Sequence, residues 1–138
     1  PRPERERDIP LFWAGHRKLG LRRLYLEHIE RRFGVDLNVY LHPADYAEAL
    51  TRSRAGIAIF GGGYDTVRYW ELPAHGALLI GERLPIRVPN DFTDGENALL
   101  FGDLAELEDR VAFTLTHPGE AARLAAAGEA HCRRYHSA

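Results

Sequence analysis

The sequence predicts an α/β domain, a parallel sheet of about five strands with helices on both faces. Three observations carry that prediction. Short apolar runs alternate with longer segments of helical spacing, the order of βαβ units. Gly, Pro and Asp residues sit at the boundaries that helices prefer. The chain has 138 residues, 45% hydrophobic and 28% charged, which suits one globular domain.

The elements follow in order. Residues 1–8 (PRPERERD) are charged and are expected to be a linker or frayed end, leaving 9–138 as the domain. IPLFWAG, 9–15, is a short apolar run and predicts the first strand. In 16–33, Leu21, Leu24, Ile29 and Phe33 recur at near-helical spacing, and Gly34 stands as a C-cap. VDLNVYLH, 35–42, alternates and predicts a second strand. Pro43 suits the first position of a helix over PADYAEALTRS. AGIAIF, 55–60, predicts a third strand. A glycine loop and a helix from about Thr66 to His75 precede a fourth, ALLIGE. A loop-rich stretch with a turn at Asp94-Gly95 leads to a fifth, ALLF at 98–101. Asp103 is placed as an N-cap with Glu106 at the capping-box position, and a last helix begins near Pro118.

Ligands of such sheets bind beyond the carboxyl ends of the strands. The residues expected there are Gly15 to Lys18, His42 to Asp45, Gly61 to Thr66 and Gly81 to Arg83. The third of these groups is the most distinctive. Gly61, Gly62 and Gly63 let the backbone approach a ligand, and the helix start behind them, with Tyr64, Asp65 and Thr66, offers free N–H groups to an anion. The same glycines also suit a tight turn with no ligand, since they form neither a Walker A loop nor a GxGxxG fingerprint. Asp65 is placed as a helix cap. Arg68 in the first turn opposes the helix dipole by roughly 0.3–1 kcal/mol. Either a salt bridge to Glu71 at i+3 or a bound anion compensates. Glu71 is an acceptor-only carboxylate, suited to two vicinal hydroxyls.

Composition excludes several classes. Lys+Arg number 18 and Asp+Glu 20, a net charge of −2, so no bulk field draws nucleic acid or an acidic membrane. No apolar run reaches the roughly 20 residues that span a bilayer. Cys132 is the only cysteine, so no internal disulfide forms, which fits a reducing cytoplasm. His16, His75 and His117 lack acidic partners at metal spacing, and no metal or other cofactor is expected. Trp13 and Trp70 are expected in the core. The single lysine, Lys18, among many arginines indicates GC-rich, bacterial coding. Methionine is missing even at position 1, so the sequence is expected to be a piece of a longer protein.

From Arg68 onward the residues form an ordered series: Glu71-Leu-Pro-Ala-His-Gly76, ALLIGE, DFTDGENALLF, and the tail DLAELEDRVAFTLTHPGEAARLAAAG. This series resembles the C-terminal half of GT-B glycosyltransferases of the group 1 type, nearest the CgeB-like branch. The resemblance covers about half the chain well. It implies a Rossmann-like, three-layer α/β/α domain, one half of a GT-B fold, that binds a nucleoside-diphosphate sugar such as a UDP or GDP sugar. Glu71 matches the glutamate that holds the nucleotide ribose. The glycine loop and helix start would lie beside the diphosphate. Gly15 and His16 lie at the same end of the sheet. Arg17 and Lys18 match, at compressed spacing, a basic pair facing the diphosphate. With Arg68 they are the candidates to stabilise the leaving nucleoside diphosphate, and no metal is needed for that. Many group 1 enzymes carry a second glutamate, and Gly63 stands in its place. Tyr46 and His42 stand near where a base would rest, either stacking on it or serving as turn and packing residues.

The resemblance further implies that the acceptor site belongs to a missing N-terminal half, so this piece alone should turn over little. Two other readings stay open. One is a non-catalytic interaction domain derived from a glycosyltransferase. The other is a different Rossmann-type nucleotide-binding enzyme, against which GHRKLG after the first strand offers no glycine fingerprint.

Overall fold

A computed structural model describes residues 7–13, 20–37, 43–59, 65–84 and 88–135, with the side chains of 20–22, 43–44 and 65–68 outside that description. The elements are α1 (Gly20–Phe33), α2 (Pro43–Arg52), β1 (Ala55–Ala58), α3 (Asp65–Ala74), β2 (Leu78–Glu82), β3 (Leu99–Phe101), α4 (Leu104–Thr116) and α5 (Pro118–Tyr135). The strands form a parallel sheet in the order β1-β2-β3. The fold is the parallel α/β arrangement that the alternation of elements predicts, and it is Rossmann-like, as the family resemblance implies.

Every residue of β1 and β3 is buried, because helices cover both faces. Side chains alternate between two cores. On one face Ile57, Leu78, Ile80, Leu99 and Phe101 pack with Leu26 and Ile29 of α1, Leu107 and Val111 of α4, and Leu124 of α5. On the other, Ala58, Leu79 and Leu100 pack with Ala49 and Leu50 of α2 and Tyr69 and Leu72 of α3. Trp13 belongs to the first core at 1% exposure, as expected, and Trp70 packs half-buried against the second. Glycines set the depth at which α3 lies. A Cβ on Gly56 would stand 2.4 Å from Leu72 Cδ2, and one on Gly81 3.0 Å from the Tyr69 ring.

The sheet of about five strands takes a different form at its first edge. Residues 9–13 run beside β1, but only as two parallel bridges, Ile9 to Ser53 and Phe12 to Gly56. The bridged residues are three apart, whereas a regular ladder repeats every two, and Pro10, which has no N–H, sits in the break. The contact is nevertheless held by hydrogen bonds. Phe12 N–H donates to Ala55 O at 2.9 Å, and Ile57 N–H donates to Phe12 O at 3.0 Å. Of the predicted second strand, 35–37 are described and are not strand, and 38–42 lie outside the described residues.

At the opposite edge β3 is closed by side chains. Its outward-facing residue is Leu100. The Leu100 N–H donates to Asp94 Oδ1 at 2.9 Å, and Arg110 Nε of α4 donates to Leu100 O at 3.0 Å. An edge whose polar groups are occupied offers no template for a further strand.

Helix boundaries follow local chemistry. Asp103 is extended (φ −149°) and accepts from Glu106 N–H at 2.8 Å, as an N-cap should. Glu106 reaches back one residue further than a capping box does, to Gly102 N–H at 2.7 Å. Gly34, at φ 68°, ends α1 with its N–H on Glu30 O. Gly76, at φ 82°, ends α3 in a Schellman motif: its N–H meets Pro73 O, and Ala77 N–H meets Leu72 O, both at 2.9 Å. Gly95, also at φ 82°, forms the expected turn after Asp94. Pro118 opens α5 directly after His117 closes α4.

Arg7 and Asp8 fall within the span expected to be linker, yet both are anchored. The Arg7 guanidinium is buried and donates to Ser53 O and His75 O, each at 2.8 Å. It thereby ties together the chain ahead of β1 and ahead of β2. Asp8 pairs with Arg52, whose hydrogen bonds hold the Asp8 carboxyl below its usual range.

Candidate functional site

The carboxyl ends of the strands lie at Ala58, Glu82 and Phe101, and α3 starts beyond the first of them. Of the residues expected to form the site, Gly15, His16, Arg17, Lys18, His42, Gly61, Gly62, Gly63 and Tyr64 lie outside the described residues. Asp65, Thr66 and Arg68 occupy the first turn of α3, with their side chains outside the description. The helix itself begins at Asp65 and ends at Ala74, one residue earlier at each end than its sequence suggests.

Asp45, Tyr46, Glu82 and Arg83, also expected at that end of the sheet, have described side chains, and among the residues expected to hold the donor itself the same is true of Glu71. It is half-buried on α3, and its Oε1 accepts the Tyr46 hydroxyl at 2.7 Å. Tyr46 comes from the first turn of α2, 25 positions earlier, and its ring lies 5.9 Å from that of Phe12 in the edge segment. Two helices therefore meet at this carboxylate, and the edge segment packs against the tyrosine that binds it. The Glu71 backbone is fixed as well. Its carbonyl accepts both the backbone N–H of His75, at 3.1 Å, and His75 Nδ1–H, at 2.8 Å. That second bond explains the histidine in the helix-ending sequence, and it sets the proton on Nδ1.

The segment 91–97 builds a wall beside α3 rather than presenting loose polar groups. Asp91 Oδ1 accepts the Tyr69 hydroxyl at 2.7 Å and Phe92 N–H at 2.7 Å. Burial, with the Asp91 carboxylate beside it, pushes the Tyr69 phenol far above its usual range. Phe92 packs against Trp70 at 5.4 Å and His131 at 5.1 Å between ring centres. Asp94 takes Arg83 at 3.4 Å and Arg110 at 3.3 Å. Asn97 Oδ1 accepts Thr93 N–H at 2.7 Å. These residues carried the family resemblance, and their visible work is to shape the loop after β2.

Among the described residues no group of three or more His, Cys, Asp or Glu side chains is placed to hold a metal. His75 is on a carbonyl, and His117 stacks on Phe113 at 4.7 Å. Cys132 is buried against α3, and burial pushes its thiol up. No described helix is long and apolar enough to cross a membrane. A cavity of 440 Å³, lined by Arg7, Arg54, Gly76, Leu115, Ala121 and Ala125, opens at the amino ends of β1 and β2. It lies away from the end of the sheet where such folds bind ligands.

Sequence reasoning placed Glu71 in the site but gave Tyr46 a different task. The two residues are far apart in sequence, and no local pattern announces a hydrogen bond between separate helices. A parallel sheet with α3 packed on one face, carrying the half-buried Glu71, is an α/β domain of the Rossmann-like kind. The match of residues 12–138 to the family model described as glycosyl transferase-like makes it specific. The chain belongs to that glycosyl transferase-like family. No curated protein matches the chain.

Proposed function

We propose that this domain binds the nucleoside-diphosphate part of an activated sugar, for transfer of the sugar to an acceptor hydroxyl. The observation that carries the reading is the Tyr46-held carboxylate of Glu71 on α3, in a chain of the glycosyl transferase-like family. A carboxylate has about four lone-pair sites, so one phenol leaves capacity for the two hydroxyls of a ribose. The glycines 61–63 and the start of α3 would receive the diphosphate, whose charge suits a helix N-terminus. Arg68, Arg17 and Lys18 would stabilise the charge that develops on the leaving diphosphate.

The finer assignment is to GT-B enzymes of the group 1 type, CgeB-like branch. On that reading an N-terminal half supplies the acceptor site, and the donor is a UDP or GDP sugar. Calorimetric titration with UDP, GDP, ADP, dTDP and NAD, repeated on Glu71→Ala, tests the proposal. One nucleoside diphosphate should bind saturably and more weakly to the variant, and NAD should not bind. Binding of NAD, or nucleotide binding indifferent to Glu71→Ala, would overturn it.

A further inference from the structure

We propose that Tyr46 is a positioning residue that makes the site selective for ribonucleoside over 2′-deoxyribonucleoside diphosphates. The inference rests on the reading of Glu71 as the ribose acceptor and adds a residue and a substrate class to it. A phenol O–H that donates to Oε1 fixes that oxygen as an acceptor. Because donor and acceptor sit on different helices, the bond also fixes the side-chain rotamer of Glu71. Tyr46 is itself braced, its ring meeting Phe12 at an interplanar angle of 50°. A long glutamate side chain on an open helix surface would have to give up its rotamer freedom when a ligand binds, and here that ordering precedes the ligand.

A fixed acceptor discriminates more sharply than a mobile one. Facing a ribose, the remaining lone pairs of Glu71 meet hydroxyl donors. Facing a 2′-deoxyribose, one of them meets a C–H and cannot swing away to water. Sites built to hydrogen-bond a substrate hydroxyl reject the analogue that lacks it for this reason. The loss of one hydrogen bond to a charged group corresponds to roughly ten- to a hundredfold in affinity.

Tyr46→Phe removes the hydroxyl and keeps the ring against Phe12. If Tyr46 positions Glu71, the variant weakens the ribonucleotide, by roughly three- to tenfold, and leaves the deoxynucleotide almost unchanged. A purely structural role would weaken both alike. The experiment is calorimetric titration of wild type, Tyr46→Phe and Glu71→Ala with UDP, GDP, ADP and the 2′-deoxy counterpart of each, with a thermal melt of every protein. The expected result is a wild-type preference of tenfold or more for the ribonucleotide. That preference should fall severalfold in Tyr46→Phe and vanish in Glu71→Ala, at comparable melting temperatures. A Tyr46→Phe variant with the wild-type preference, or with equal losses for both sugars, overturns the role of Tyr46 while Glu71→Ala still supports the site. A Glu71→Ala variant with wild-type affinity and preference, or no nucleotide binding by any protein, overturns the reading of the site and the inference with it.

Discussion

The same substitution at two places in α5 should act with opposite sign. Gly119 and Gly128 both lie in this helix, where glycine costs up to about 1 kcal/mol relative to alanine. On propensity alone both Gly→Ala changes stabilise. The surroundings separate them. A Cβ at Gly119 meets nothing within 4 Å, so Gly119→Ala should gain roughly 0.4–1 kcal/mol, largely by restricting the unfolded chain. A Cβ at Gly128 would stand 2.6 Å from the backbone oxygen of Asn97 and 3.7 Å from Pro73 Cβ. The obstacle is a carbonyl in a turn fixed by Gly95 N–H on Ala98 O at 2.8 Å and Thr93 N–H on Asn97 Oδ1. No side chain can rotate aside, so α5 must move outward. Overpacking of this kind costs about 1–3 kcal/mol, which exceeds the propensity gain. Gly128→Ala should therefore be net destabilising, by up to about 2 kcal/mol once the full gain is deducted. Urea unfolding of both variants reads the difference as a fall in midpoint for Gly128→Ala and a rise for Gly119→Ala. A Gly128→Ala protein as stable as wild type would refute the close approach of α5 to the 94–97 turn.

Other outcomes follow from the same structure. Tyr69 is buried with its phenol held well above the value of about 10 that an unfolded chain shows. Its contribution is therefore complete below pH 10 and is lost as pH rises above it, when the unfolded state ionises first. Tyr69→Phe should flatten the alkaline fall in stability measured by denaturant midpoint, while losing about 1 kcal/mol at neutral pH with the bond to Asp91. Arg7→Met should cost about 2–4 kcal/mol, because it leaves the carbonyls of Ser53 and His75 without this donor; a neutral result in thermal unfolding would show that the N-terminal segment is not integral to the domain. Asp103→Ala should cost about 1 kcal/mol and Asp103→Asn little, since an amide oxygen can still cap Glu106 N–H; unequal circular-dichroism melts check this.

Much of the architecture was legible because it depends on neighbours in sequence. Asp103 caps, Gly34 and Gly95 turn, Pro118 starts a helix, and the alternation of runs yields a parallel sheet. Each of these choices is settled within a few residues of backbone chemistry. The edge segment was legible only in part. Its apolar run predicts a strand, and Pro10 breaks the ladder there into two bridges.

For the site, the sequence supplied Glu71 and the family resemblance, but not the partner of the carboxylate. Tyr46 was weighed as a stacking or packing residue, and its hydroxyl is on Glu71. The DFTDGENALLF segment was legible as a pattern but not as a structure. Its acidic residues anchor Tyr69, Leu100, Arg83 and Arg110, partners contributed by α3, β3, α4 and the end of β2. Arg7 is the same case, since a charged residue in a charged stretch gives no local sign that two distant carbonyls await it.

The amino-acid order determines the class of fold and most helix boundaries, because propensity, capping and periodicity act over one or two turns, while the choice of Glu71 as the carboxylate of the candidate site came from the family resemblance. Tertiary structure alone decides that Tyr46 holds Glu71, that Arg7 is buried, and that side chains of Asp94 and Arg110 close the sheet at β3. Those are hydrogen bonds between separate elements, and their partners are chosen by where packing against the two cores brings the helices to rest.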